Sequence, residues 1–281
     1  GSSTAWYLAK LGHAVILIDP LINQPISRSG ILNGTTASLG VLMGHVFRRS
    51  KGRSWKLRKR SMELWKEWVI MLDTPKNPLK FESPLVQLAR SKEEASCMEQ
   101  LSKDRKNLGL ELLPPHTTSQ AQRLWPKNSY GGLISHKDGR INPIQLQKCL
   151  LNILDNFNVP KIPTEVISLE RSTSPGKRHW YLHLSNGQTL KKEIVIICAA
   201  VGSEALLKPL GHNLPITPVL GQALNLELEV DNQNWSGWPA VLVSEGVNLV
   251  PNGTNHILMG ATLEPGTYGD PKSLEEMKNM N

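Results

Sequence analysis

Apolar residues at Ala5, Leu8, Ala9 and Leu11 repeat at three- and four-residue spacing, so the chain opens on a helix. Ser2, Ser3 and Thr4 are residues suited to capping its start, and Gly12 is placed to end it. The next apolar stretch, Ala14-Val15-Ile16-Leu17-Ile18, runs without a polar residue up to Asp19. That continuity predicts a strand buried on both faces of a parallel sheet. A second such run, Ile194-Val195-Ile196-Ile197-Cys198, leads through Ala199-Ala200-Val201-Gly202-Ser203 into a short helix over 204–210. The two runs are expected as neighbours in one mainly parallel sheet.

Residues 21–47 are rich in Gly, Ser, Thr and Asn and read as a long loop, a length that usually signals function. Helices are predicted over 54–72, with Leu57, Leu64, Trp65 and Trp68 inward, over 92–108, and over 142–154 with Pro143 in the first turn. Strands are expected at 85–89 and 132–136. Alternating segments at 164–170, 180–184 and 188–191 predict an antiparallel meander, the last two joined by a hairpin at Ser185-Asn186-Gly187. After Pro215 further strands are expected at 221–229, 240–243, 247–250 and 256–261, joining 85–89 and 132–136 in a second sheet. The fold class is therefore α/β: a partial Rossmann-like domain over 1–47 and 140–214, and an α+β domain on an antiparallel sheet over 48–139 and 215–281.

A chain of 281 residues accommodates about two domains, and 40% hydrophobic with 20% charged residues excludes wholesale disorder. No apolar run approaches the roughly 18 residues of a membrane-spanning helix. Three cysteines without a C-x-x-C pair offer neither a disulfide framework nor a metal site, so a soluble, cytoplasmic protein without a metal is expected. The net charge of +8 is concentrated in residues 48–60, which hold eight cations and no acid. Because this stretch enters an amphipathic helix, it reads as a solvated face; nucleic-acid binding, including that of a flavin domain acting on modified tRNA, is the alternative. Oligomeric state is not legible.

A dinucleotide site sets a glycine-rich turn at a helix N-terminus, with an acid about 20 residues on for the ribose. Gly1 and Asp19 are eighteen apart, as the last glycine of G-x-G-x-x-G and that acid would be. From the residues alone, Gly1-Ser2 also reads as a cloning remnant and Asp19 as a turn residue. A nicotinamide-dependent dehydrogenase is a further reading.

Gly1-Ser2-Ser3-Thr4-Ala5-Trp6-Tyr7-Leu8-Ala9-Lys10-Leu11-Gly12-His13 resembles the opening of the glycine oxidase/D-amino-acid oxidase family of FAD-dependent oxidoreductases. Gly34-Thr35-Thr36-Ala37-Ser38-Leu39-Gly40-Val41-Leu42 resembles its small-residue loop beneath the flavin, and Gly139-Arg140-Ile141-Asn142-Pro143 its G-x-[IV]-x-P. Pro218-Val219-Leu220-Gly221-Gln222 and the segment from Met259 to Gly266 resemble its P-x-x-G-Q and G-A-T-x-E-x-G. The resemblance implies FAD held by Gly1 and Ser2, by Asp19 at the ribose with Pro20 beside it, and by Val166 at the adenine. It assigns Thr35 and Thr36 to the phosphates through backbone and hydroxyl, Leu39, Gly40 and Val41 to the isoalloxazine, and Ala199 and Ala200 to a turn where glycine is usual at the second position. It implies hydride transfer from a small amino acid or secondary amine to the flavin. No catalytic residue is assigned. The family's first strand and its last part, with a substrate-carboxylate arginine, have no counterpart in these residues, so the chain is expected to be an internal and inactive piece of a longer enzyme.

Overall fold

The computed structural model describes residues 1–27, 33–49, 51–116, 125–127, 129–172, 179–229, 235 and 237–265. Ser50 of the basic stretch and Gly266 of the last motif lie outside them. The chain runs through α1 (Ser2–Lys10), β1 (Leu17–Ile18), α2 (Gly34–Ala37), β2 (Val41–Leu42), α3 (Arg53–Leu72), β3 (Phe81–Glu82) and β4 (Leu85–Leu88). It continues with α4 (Lys92–Asp104), β5 (Leu110–Leu113), β6 (Gly132–Ser135), β7 (Gly139–Ile141), α5 (Pro143–Asn156), β8 (Lys161–Ile162) and β9 (Val166–Arg171). Then come β10 (Trp180–Leu184), β11 (Thr189–Lys192), α6 (Ser203–Leu207), β12 (Val219–Leu220), β13 (Ala223–Glu227), β14 (Val241–Ser244), β15 (Val247–Asn252), β16 (His256–Gly260) and β17 (Glu264–Pro265). Among the described residues no helix is long and apolar enough to cross a membrane.

Two compact units emerge. The first comprises, among the described residues, 1–27, 147–172, 179–219 and 265. Its helix α1 is capped by Gly1 with no side-chain hydrogen bond, so Ser2, Ser3 and Thr4 sit inside the helix rather than before it. Gly12 closes it as expected: at φ 85° it lets its own N–H reach Ala9 O and the His13 N–H reach Leu8 O. Only the last two residues of the first apolar run are laddered, β1 pairing in parallel with β8, Leu17 opposite Lys161 and Ile18 opposite Ile162.

The second run departs from expectation. Residues 194–198 join no ladder among the described residues, so they are not the sheet neighbours of β1. Their burial alternates: Val195 and Ile197 pack toward Leu169, Leu182 and Leu184, whereas Ile194 and Ile196 are 78% and 54% exposed. One face is covered by the antiparallel meander β11-β10-β9 and the other is not, so apolar continuity overstated the burial. The β10–β11 hairpin forms where the Ser-Asn-Gly turn places it, with Leu184 N–H donating to Gln188 O at 2.9 Å and Gly187 at φ 85°.

The second unit comprises, among the described residues, 33–49, 51–116, 125–127, 129–146, 220–229, 235 and 237–264. A seven-stranded sheet dominates it, in the order β13-β16-β15-β14-β4-β6-β5. Every pairing is antiparallel except β14 with β4, where Val241 lies opposite Leu85. The strands expected at 85–89, 132–136 and after 215 do meet in this sheet; the edge strand β5 was not anticipated. One sheet face buries Leu85, Leu133, Val241, Val250 and Leu258 with Met98 of α4 and with Leu39 and Val46. The opposite face buries Val86, Leu88, Leu242 and Ile257 with Trp238.

Helix α3 buries Met62 and Leu72, and half-buries Leu64, Trp65 and Trp68. Leu57 does not turn inward as its spacing suggests; it is 60% exposed among the cations of the first two turns.

Candidate functional site

In the second unit the loop after Asn33 is organised by its own side chains. Asn33 Oδ1 accepts from the N–H groups of Thr35 (3.0 Å) and Thr36 (2.9 Å), and the Thr36 hydroxyl accepts from Asn33 N–H (3.1 Å), a reciprocal capping box. The two amides and the Thr36 hydroxyl thus serve the loop itself, while Thr35 remains exposed. Leu39 is buried in the sheet core as an anchor. Gly40 has φ 75°, and a β-carbon there would lie 2.0 Å from Ile141 O and 2.9 Å from Pro143 Cδ, so only glycine fits. Val41 begins β2 opposite Arg140, which brings the Gly-Arg-Ile-Asn-Pro motif directly against this loop.

The loop ends on a buried knot. Asp138, with no solvent exposure, accepts from Gly44 N–H (2.8 Å), His45 N–H (2.9 Å) and Val46 N–H (3.0 Å), from the His45 ring Nδ1–H (2.8 Å) and from the Ser135 hydroxyl (3.0 Å). Burial by itself would raise this carboxyl's pKa, but the His45 ring and the Gly44 and His45 amides outweigh it and hold it below the usual aspartate value. Arg105 closes the next turn, donating to the carbonyls of His45, Phe47 and Arg48 with its guanidinium stacked 4.5 Å over the Trp55 ring. Burial lowers the Arg105 pKa, opposed by Asp104 and Asp138.

Sequence reasoning missed Ser135, Asp138 and Arg105. Asp138 directly precedes the Gly-Arg-Ile-Asn-Pro motif and reads as a turn residue, and nothing local links it to residues more than ninety positions upstream.

Beside this knot, a cavity of about 320 Å³ opens on the face of the sheet that carries Leu39. Met43, Val46, Met98 and Val243 form apolar wall, Gln87 and Asn248 contribute polar groups from strands β4 and β15, and Arg48 and Glu94 add charged ones.

In the first unit, the N–H groups of Ser2, Ser3 and Thr4 at the start of α1 have no side-chain cap, and Ala5 N–H already bonds Gly1 O at 2.9 Å. Asp19 follows β1, exposed, and one of its oxygens accepts from Leu21 N–H at 2.8 Å while Pro20 begins the turn. Val166 begins β9, half-buried. Ala199 and Ala200 form a tight turn in which Ala200 adopts φ 48°, a conformation suited to glycine. This donor and acceptor set suits a dinucleotide: free helix amides for phosphate, and a carboxylate with an oxygen left over for ribose hydroxyls.

The fold is α/β in class, with a second unit built on a mainly antiparallel sheet. The FAD dependent oxidoreductase family matches residues 1–280. A stretch of 91 residues is 35% identical to glycine oxidase of Pseudomonas aeruginosa, covering 32% of this chain and 24% of the relative, so the match spans about a quarter of that protein's length. Glycine oxidase from Geobacillus kaustophilus superposes with a TM-score of 0.78 at 21% identity, over 99% of this chain and 72% of the other. L-Proline dehydrogenase from P. horikoshii superposes with a TM-score of 0.75 at 17% identity, over 99% and 71%. The chain belongs to the FAD dependent oxidoreductase family, and FAD is the family's cofactor.

Proposed function

We propose that the protein oxidises the C–N bond of a small amino acid or secondary amine. The observation that carries this reading is the small cavity walled in part by Met43 and Val46, beside the Asp138 knot that holds residues 44–46. Bound FAD supplies the hydride acceptor. The chain's own residues then have to orient the amine and exclude water, and a wall that combines Met43, Val46, Met98 and Val243 with the polar Gln87 and Asn248 suits these tasks.

On this reading Gly1 and Ser2 take the pyrophosphate on helix amides and Asp19 takes the ribose, with Pro20 shaping the turn beside it. Val166 meets the adenine through its backbone, and Ala199 and Ala200 approach the cofactor as a turn. The exposed Thr35 hydroxyl is the group of its pair still available to phosphate, with Thr36 holding the loop. Gly40 and Val41 line the isoalloxazine while Leu39 anchors them.

The full-length protein should purify with visible flavin absorption, which should bleach anaerobically with sarcosine, glycine or D-alanine. Asp19→Ala should weaken FAD retention by about tenfold, the loss of one charge-assisted hydrogen bond. A flavin that none of these amines reduces would overturn the reading.

A further inference from the structure

We propose that the basic face at the start of α3 rests on an anionic lipid bilayer, with its cations on the lipid phosphates and Leu57 among the headgroups. The inference is independent of the amine-oxidising reading, because it concerns a surface and not the cavity. Positions 56, 57 and 60 stand three, four and seven residues after position 53, so Arg53, Lys56, Leu57 and Arg60 share one face of the helix. All four are exposed, Leu57 at 60%, while the helix holds to its own unit through the buried Met62 and Leu72. Arg49, Lys51 and Lys59 add exposed charge beside them, and no acid enters the sequence from position 48 until Glu63, which pairs with Arg60 at 3.5 Å.

Charge complementarity fixes the sign of the partner. The helix begins at Gly52 without a side-chain cap and without an acid in its first turn, so the positive end of its dipole adds to the cations rather than offsetting them. Phosphate groups relieve an arrangement that opposes itself in the free protein. Leu57 decides between lipid and nucleic acid. A phosphodiester backbone gains nothing from an apolar side chain standing among the cations, whereas a bilayer buries it at the headgroup boundary while lysine and arginine stems reach the phosphates. Single-stranded nucleic acid would instead stack its bases on aromatic rings. The two rings of this segment already carry arginines of the protein itself, Arg58 at 4.0 Å over Phe47 and Arg105 at 4.5 Å over Trp55.

The test is sedimentation of the full-length flavin-loaded protein with vesicles. At about 0.1 M salt, vesicles with about 30% phosphatidylglycerol in phosphatidylcholine should bind it at least about tenfold more tightly than phosphatidylcholine alone, and about 1 M salt should erase the difference. Replacing three cations together, Arg53→Gln, Lys56→Gln and Arg60→Gln, should weaken binding to the anionic vesicles by about a hundredfold, and Leu57→Ser by about tenfold, with flavin content unchanged in both. If the triple variant does not fold, Lys56→Gln alone should weaken binding by about fivefold. Equal binding to both kinds of vesicle overturns the proposal, as does a Leu57→Ser variant that binds anionic vesicles as well as wild type. Purified tRNA is the second probe: binding tighter than that to anionic vesicles and indifferent to Leu57→Ser would give the face to nucleic acid and overturn the lipid assignment.

Discussion

Asp138 illustrates how one side chain can fix a loop. Its carboxylate takes three consecutive amides and the His45 ring, so Asp138→Asn replaces an acceptor by a donor facing N–H groups. A cost of about 3 kcal/mol is expected. The pH sign follows from the lowered pKa. Because folding depresses this carboxyl, its contribution is present above the ordinary aspartate range near 4 and disappears as pH falls through the folded value. Urea melts should therefore separate wild type from Asp138→Asn at pH 7 and bring them together in strong acid; a constant gap would contradict the ionic role. Ala200 offers the opposite case. Its φ of 48° strains an L-residue, so Ala200→Gly should raise stability by up to about 1 kcal/mol in thermal melts, the relief of strain being partly offset by glycine's greater unfolded entropy. A lowered melting temperature would mean that the alanine methyl contributes more through packing than it costs in strain.

Helix α3 places its charges against its own dipole. It starts at Gly52 with no side-chain cap and no acid in the first turn, while Arg53 and Lys56 stand at the positive end. Among the eight cations from 48 to 60, ion pairs appear at Arg48 with Glu94 and Arg60 with Glu63, and Arg58 lies over the Phe47 ring. Arg53→Glu should therefore stabilise the protein by about 0.5 kcal/mol at low salt, an advantage that should vanish near 1 M salt. Stabilisation that persists at high salt would point to a packing change instead. The periodicity that marked this helix was reliable for its extent, as it was for α5 and the β9–β11 meander, whereas α4 stops at Asp104, four residues before the end expected of it. It failed where burial depends on what a distant segment covers. Leu57 sits at core spacing but is exposed, no described residue covering it, and Ile194–Cys198 is apolar throughout although only alternate residues are covered. The glycine at 40 was legible as a close-approach position, but the atoms that require it, Ile141 O and Pro143 Cδ, belong to a motif a hundred residues away.

At the scale of the molecule, the second unit ties its loop to its sheet by two independent routes. Leu39 and Val46 are buried with Leu85, Leu133 and Val241 at the centre of the seven strands, and Asp138 holds residues 44–46 from the turn after β6. The central pairing of β4 with β14 joins residues 85–87 to 241–243, so the sheet closes only when segments far apart in sequence have come together. A loop fastened to such a sheet should not open by itself, since releasing it would bare Leu39 and Val46 and leave a buried carboxylate without donors. The amides of Gly44, His45 and Val46 should accordingly exchange with deuterium as slowly as those of β4 and β14, although they belong to no strand. Asp138→Asn should speed the three loop amides by about a hundredfold, a local loss of about 3 kcal/mol, and change the strand amides much less. Exchange read by mass spectrometry on overlapping peptides decides the matter: fast exchange at 44–46 in the wild type would mean that the loop moves independently of the sheet, and equal acceleration everywhere in the variant would mean that Asp138 supports the whole unit rather than the loop.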